Sequence, residues 1–171
     1  VQVGQELTQE EQQVWRAYSS ASQLLFDRLD RELKANAGIS ATYYEILACL
    51  ATAPRAALRM SELAERSLSS RSRLSHAIDR LEELGWVRRE GCPQDGRGAY
   101  AVLTDAGREV LAQATPPWLD GLRAHFFDQL TEAQLIDLRA ISEALVAHLQ
   151  AAPGCQIEDP CPSGQGSCGE D

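Results

Sequence analysis

Apolar residues recur at steps of three and four along the first part of the chain, where Val14, Tyr18, Ala21, Leu25, Leu29 and Leu33 form one stripe. That spacing is the mark of an amphipathic helix. Thr8 and Glu11 stand before it as a capping box, and Asn36-Ala-Gly38 reads as its stop. The pattern predicts a helix over about residues 8–36, roughly 40 Å long at 1.5 Å per residue. Such a helix is longer than one small domain needs to cover itself, which points to a partner. A second helix is expected over ATYYEILACLATA, capped by Ser40 and ended by Pro54, and a short third one over MSELAERS with Leu63 and Ala64 inward. After a tight connection at Leu68-Ser69, the stripe Leu74, Ala77, Ile78, Leu81 and Leu84 marks a further helix that stops at Gly85.

The period then changes. WVRRE and AYAVL read as two short strands joined by the turn-rich GCPQDGRG. Thr104-Asp105 caps another helix, DAGREVLAQAT, which Pro116-Pro117 are expected to break or kink. A second capping box, Thr131 to Gln134, opens the amphipathic LTEAQLIDLRAISEALVAHLQ. From Pro153 the chain holds Pro, Gly, Ser, Cys and acids without a periodic apolar residue, and reads as a disordered tail. The expected organisation is a helix over 1–38, a helix-turn-helix with a hairpin over 39–111, further helices over 112–152 and the tail over 153–171. The fold class is mainly α with a small β-hairpin wing.

Charge sharpens this picture. The chain carries 25 acidic residues against 16 basic ones, a net charge of −9, and Lys34 is its one lysine. That balance argues against indiscriminate nucleic-acid binding, but net charge hides distribution. Residues 55–108 hold ten arginines against eight acids, +2, which leaves −11 for the rest. On a helical wheel with Leu74 inward, Ser72, His76 and Asp79 point away from the core and Arg73, Ser75 and Arg80 flank them. Hydroxyls, an imidazole and guanidinium groups make up the inventory that reads a major groove and holds phosphates. Arg88 and Arg89 lie on the leading strand, and Arg97 sits among glycines at a hairpin tip thin enough for a minor groove. The same residues on an ordinary helix would be solvated surface charge; the adjoining hairpin favours double-stranded DNA as the partner.

MSELAERSLSSRSRLSHAIDRLEELGWVRRE, followed by QDGRGAYAVLTDAGREVL, resembles the winged helix-turn-helix of the MarR transcription regulators. The specific signature is Asp95-Gly-Arg97, five residues, then Leu103-Thr104-Asp-Ala-Gly107, with Leu63-Ala64 and Asp79-Arg80-Leu81-Glu82 at matching separations. The clearest similarity covers 39–111. The resemblance implies a homodimer whose N- and C-terminal helices interlock, presenting two winged domains to a pseudo-palindromic operator, most often as a repressor. It implies that Ser70, Arg71, Ser72, Arg73, Ser75, His76 and Arg80 belong to the recognition helix. Arg97 would be the minor-groove residue, steadied by Asp95, while Arg88 and Arg89 run beside the backbone and Arg59 and Ser61 meet a phosphate. A pocket for a small phenolic or amphipathic effector is also implied, for which Trp15, Tyr18, Tyr43, Tyr44 and Trp118 are the aromatic candidates. The same aromatics at helical spacing suit a core or a dimer interface.

Other chemistry has less to stand on. His76, His125 and His148 lie far apart, no nucleophile or paired-carboxylate spacing stands out, and no glycine loop for phosphate is present. No enzyme activity, metal or cofactor is expected. Cys155, Cys161 and Cys168 are spaced too widely for a structural zinc site, and Cys49 in EILACLA reads as a small buried hydrophobe. Cys92 at the wing tip leaves a redox- or metal-responsive regulator as an alternative, beside a winged helix that binds protein. No apolar run is long enough to span a bilayer, and with no signal-peptide pattern at the start a cytoplasmic location is expected.

Overall fold

The capping box opens the first helix as expected: Thr8 Oγ1 accepts from the Glu11 amide at 3.2 Å, and the Glu11 carboxylate accepts from the Thr8 amide at 2.7 Å. This helix, α1 (Gln9–Ala37), ends where Gly38 turns left-handed at φ 69° and donates to the Lys34 carbonyl. The computed structural model describes residues 6–92 and 95–151, with backbone only at 92 and 95–98. The expected tail lies outside the described residues.

Ser40 caps α2 (Ala41–Ala51), and Asp30 of α1 accepts from the Ala41 amide at 3.0 Å, which ties the two helices at their junction. There follow β1 (Ala57–Arg59), α3 (Met60–Arg66), α4 (Arg71–Glu83), β2 (Val87–Cys92), β3 (Asp95–Leu103), α5 (Asp105–His125) and α6 (Glu132–Ala151). The three strands form an antiparallel sheet in the order β1-β3-β2, with Ala57 opposite Val102 and Val87 opposite Leu103. The sequence pattern does not reveal β1, because three residues are too few to display an alternation. One apolar core joins α2, α3, α4 and the sheet through Ile46, Leu50, Leu58, Leu63, Ile78 and Val87, among others.

The Leu-Thr-x-x-Gly signature has a steric reason. The Thr104 amide donates to the Trp86 carbonyl at 3.1 Å, and Thr104 Oγ1 donates to the Gly85 carbonyl at 2.7 Å. Gly107 follows in the first turn of α5, where a Cβ would lie 2.2 Å from the Trp86 carbonyl oxygen. The start of α5 is thus held against the end of α4 at a distance that only glycine allows.

Of the break or kink expected at Pro116-Pro117, the break does not occur: α5 runs through both prolines. Two missing N–H groups leave the Ala112 and Gln113 carbonyls without their intrahelical donors, but packing on both sides holds the helix together. Ala114 is buried, the Trp118 ring lies 5.0 Å from that of Tyr44, and His125 Nε2 lies 2.8 Å from the Glu32 carboxylate of α1. Gly121 lets α1 come close, since a Cβ there would be 3.0 Å from Leu29 Cδ2.

Two stretches stay uncovered. The α1 stripe is buried at Leu29 and Leu33, whereas Val14, Trp15 and Tyr18 are exposed. In α6, opened by the Thr131–Gln134 box, no residue is buried, and Ile136, Ile141, Leu145, Val146 and Leu149 face solvent. No described helix is long and apolar enough to cross a membrane.

Candidate nucleic-acid interface

α4, expected to be the recognition helix, is anchored by Leu74, Ile78 and Leu81, all fully buried. Its N-terminus is set by Ser70, whose hydroxyl accepts from the Arg73 amide at 3.2 Å. The Ser70 hydroxyl therefore serves first as a cap. Ser72 and His76 are exposed on the opposite side, with Arg73 exposed on its flank and Arg71 exposed in the first turn, and these four side chains have no partner among the described residues. Arg80 is exposed as well but pairs with Glu83 at 2.6 Å. Ser75 is half-buried and turned toward the sheet.

The pleat separates two arginines that are adjacent in sequence. Arg88 shares its face with Glu90 and pairs with it at 2.6 Å, well exposed. Arg89 shares the inward face with buried Val87, and its guanidinium turns to α4. There it bonds the Asp79 carboxylate, approaches Glu82 at 3.3 Å and donates to the Ser75 carbonyl at 3.2 Å. Its own backbone amide donates to Glu82 at 2.9 Å. The expected strand cation is thus engaged inside the chain. The Val87-x-Arg89 alternation carried the signal, as did Asp79 and Glu82, three apart on one helix face.

At the other edge of the sheet, Arg59 stands just before α3 at its N-cap position, without a side-chain cap bond, and its Nε donates to the Tyr100 hydroxyl at 3.2 Å. Tyr100 lies directly opposite Arg59 in the β1–β3 register. Ser61 is exposed in the first turn of α3. Asp95 and Arg97 belong to β3, with Asp95 in register with Cys92 across the hairpin, but the side chains of Cys92, Asp95 and Arg97 lie outside the described ones.

The five aromatic candidates for an effector pocket do not form one wall. Tyr44 is in the core with Tyr43 and Trp118 packed against it, whereas Trp15 and Tyr18, rings 6.2 Å apart, stand on the exposed end of α1. An open groove of about 510 Å³ lies between α1 and α5, lined by Glu32, Asn36, Pro116, Pro117, Asp120 and His125 among others, and none of the five aromatics lines it. Cys49 is half-buried, and burial, then the nearby Glu45, push its thiol pKa up, which suits an inert packing residue. No group of three His, Cys, Asp or Glu among the described residues is placed to hold a metal ion.

Known proteins share this fold. The family model described as MarR family matches residues 37–98. The transcriptional repressor MprA of Escherichia coli (strain K12) is 30% identical over 125 residues, which cover 73% of this chain and 70% of that protein. The crystal structure of Sco3205, a MarR family transcriptional regulator from Streptomyces coelicolor in complex with DNA, matches with a TM-score of 0.83 at 48% identity, covering 91% of this chain and 96% of that one. AbsC, a MarR family transcriptional regulator of the same organism, matches with a TM-score of 0.81 at 36% identity, covering 86% and 99%.

Proposed function

The chain belongs to the MarR family of transcription regulators, and on that premise we propose that it is a homodimeric repressor binding a pseudo-palindromic DNA site. The observation that carries this reading is the outward face of α4. Ser72 and His76 are exposed there, with Arg73 on the flank and Arg71 in the first turn, all without partners among the described residues and next to a basic hairpin. These side chains are free to meet base edges and phosphates. Arg59, Ser61 and Arg88 are the backbone contacts of this proposal, and Asp95 and Arg97 keep the wing role that the family resemblance implies.

The dimer is built from the uncovered faces of α1 and α6, whose apolar side chains are left exposed by the described residues of one chain. The acidic remainder repels DNA elsewhere, so that docking depends on few contacts and non-specific binding is suppressed. Relief by a small phenolic or amphipathic effector belongs to the same reading. Tyr44 and Trp118, whose rings meet where α2 packs on α5, are the aromatic pair that supports it. Salt-titrated anisotropy on duplexes from around the protein's own coding region tests the reading. Specific binding at modest salt is expected, with the affinity falling as salt rises. A chain that binds no such duplex but retains a protein partner would instead be a winged interaction module.

A further inference from the structure

Arg89 is the one wing arginine whose described contacts all lead back to the recognition helix. Its guanidinium reaches Asp79, Glu82 and both the carbonyl and the hydroxyl of Ser75, while its amide holds Glu82 a second time. The span from Ser75 to Glu82 is two turns of α4, so a single side chain grips the middle of the helix along its length. Its side chain is only 29% exposed, against 58% for Arg88. The planar fork of arginine suits this multiple grip, and a lysine ammonium would not reproduce it.

Resting on the DNA-binding reading above, we propose that Arg89 is a positioning residue. It locks the hairpin to the recognition helix so that both present to DNA as one rigid unit, and it contacts no phosphate itself. Two carboxylates and one guanidinium leave this cluster net negative. Asp79 is half-exposed on the helix that faces DNA, where a carboxylate repels phosphate. A chain that needed Arg89 as a phosphate contact would gain by losing Asp79. A chain that needs the lock would lose by it.

The test uses the full chain, a specific duplex and a scrambled one, in a salt titration with Arg89→Gln, Asp79→Asn and the double variant. The lock requires Arg89→Gln to lower specific affinity roughly tenfold while leaving scrambled-duplex affinity and the salt slope unchanged. Asp79→Asn should lower specific affinity several-fold in spite of the lost negative charge, and the double variant should be no worse than Arg89→Gln alone. A phosphate contact gives the opposite pattern: both duplexes weaken with Arg89→Gln, the salt slope drops by about one, and Asp79→Asn tightens binding. That outcome overturns the proposal. Should Arg89→Gln fail to fold by circular dichroism, the sign of the Asp79→Asn effect decides alone. A wild-type chain that prefers neither duplex overturns the DNA-binding reading first, and the lock with it.

Discussion

Leu68 and Gly85 occupy the same place in the same helix-ending motif. After α3, the Ser69 amide donates to the Ala64 carbonyl at 3.0 Å and the Leu68 amide to that of Glu65 at 3.3 Å. After α4, Trp86 donates to Leu81 and Gly85 to Glu82, both at 2.9 Å. The residue at the left-handed position has φ 49° in Leu68 and 74° in Gly85. A side chain there costs about 1–2 kcal/mol, and Leu68, 82% exposed, gains little burial in return. Leu68→Gly is therefore expected to raise stability by about 1 kcal/mol in urea unfolding. An unchanged midpoint would mean that the leucine makes a contact in solution that one chain does not display. Gly107→Ala, with its Cβ driven to 2.2 Å from a carbonyl oxygen, should cost at least about 1–3 kcal/mol, the range for overpacking. Only the family signature marked Gly107 in the sequence. At Leu68 the turn was legible, but nothing in Ser-Leu-Ser announces a left-handed leucine.

Helices were legible wherever a cap and an amphipathic pattern agreed, as in α1 and α6, because both signals are local. The break expected at Pro116-Pro117 failed because it weighed a local cost against nothing. The packing that offsets it comes from α1 and α2, far away in sequence. The same limit hid the inward grip of Arg89 and the pairing of β1 with β3. One of those long-range contacts responds to pH. The His125 hydrogen bond holds the Glu32 carboxyl below its ordinary value of 4.5 against the opposing effect of burial, and Arg28 adds to the lowering. A depressed carboxylate contributes stability in full above its unfolded-state pKa and loses it as pH falls through the folded value. Glu32→Gln should thus be less stable than wild type at neutral pH, and the difference should close as the pH drops below 4.5. Thermal melts of both proteins across that range check this. A gap independent of pH would assign the effect of the variant to packing rather than to charge.

At the scale of the whole molecule, the described residues of a single chain account for its winged domain and leave α1 and α6 partly uncovered. The stripe that is buried at Leu29 and Leu33 continues to Val14 and Tyr18, which are left exposed among the described residues, and α6 buries no residue at all. The stability of a protein helix comes mostly from packing its apolar face, so α6 needs a surface that the described residues of its own chain do not supply. The overlong first helix was already visible in the sequence, because a stripe can be counted without knowing what covers it. A second copy offers the same uncovered α1 and α6 and can satisfy both at once across a twofold axis. Placing two carboxylates in the α6 stripe, Ile141→Glu with Leu145→Glu, should therefore split the dimer and leave the winged domain folded, since neither residue touches its core. Sedimentation should show monomers, while circular dichroism keeps most of the helical signal. On DNA, the wild type should prefer two correctly spaced half-sites over one by a wide margin, since linked modules bind the second site at high effective concentration. The variant should bind both duplexes with the same weak affinity. A variant that stays dimeric, or a monomer that still distinguishes the two duplexes, would mean that assembly uses another face.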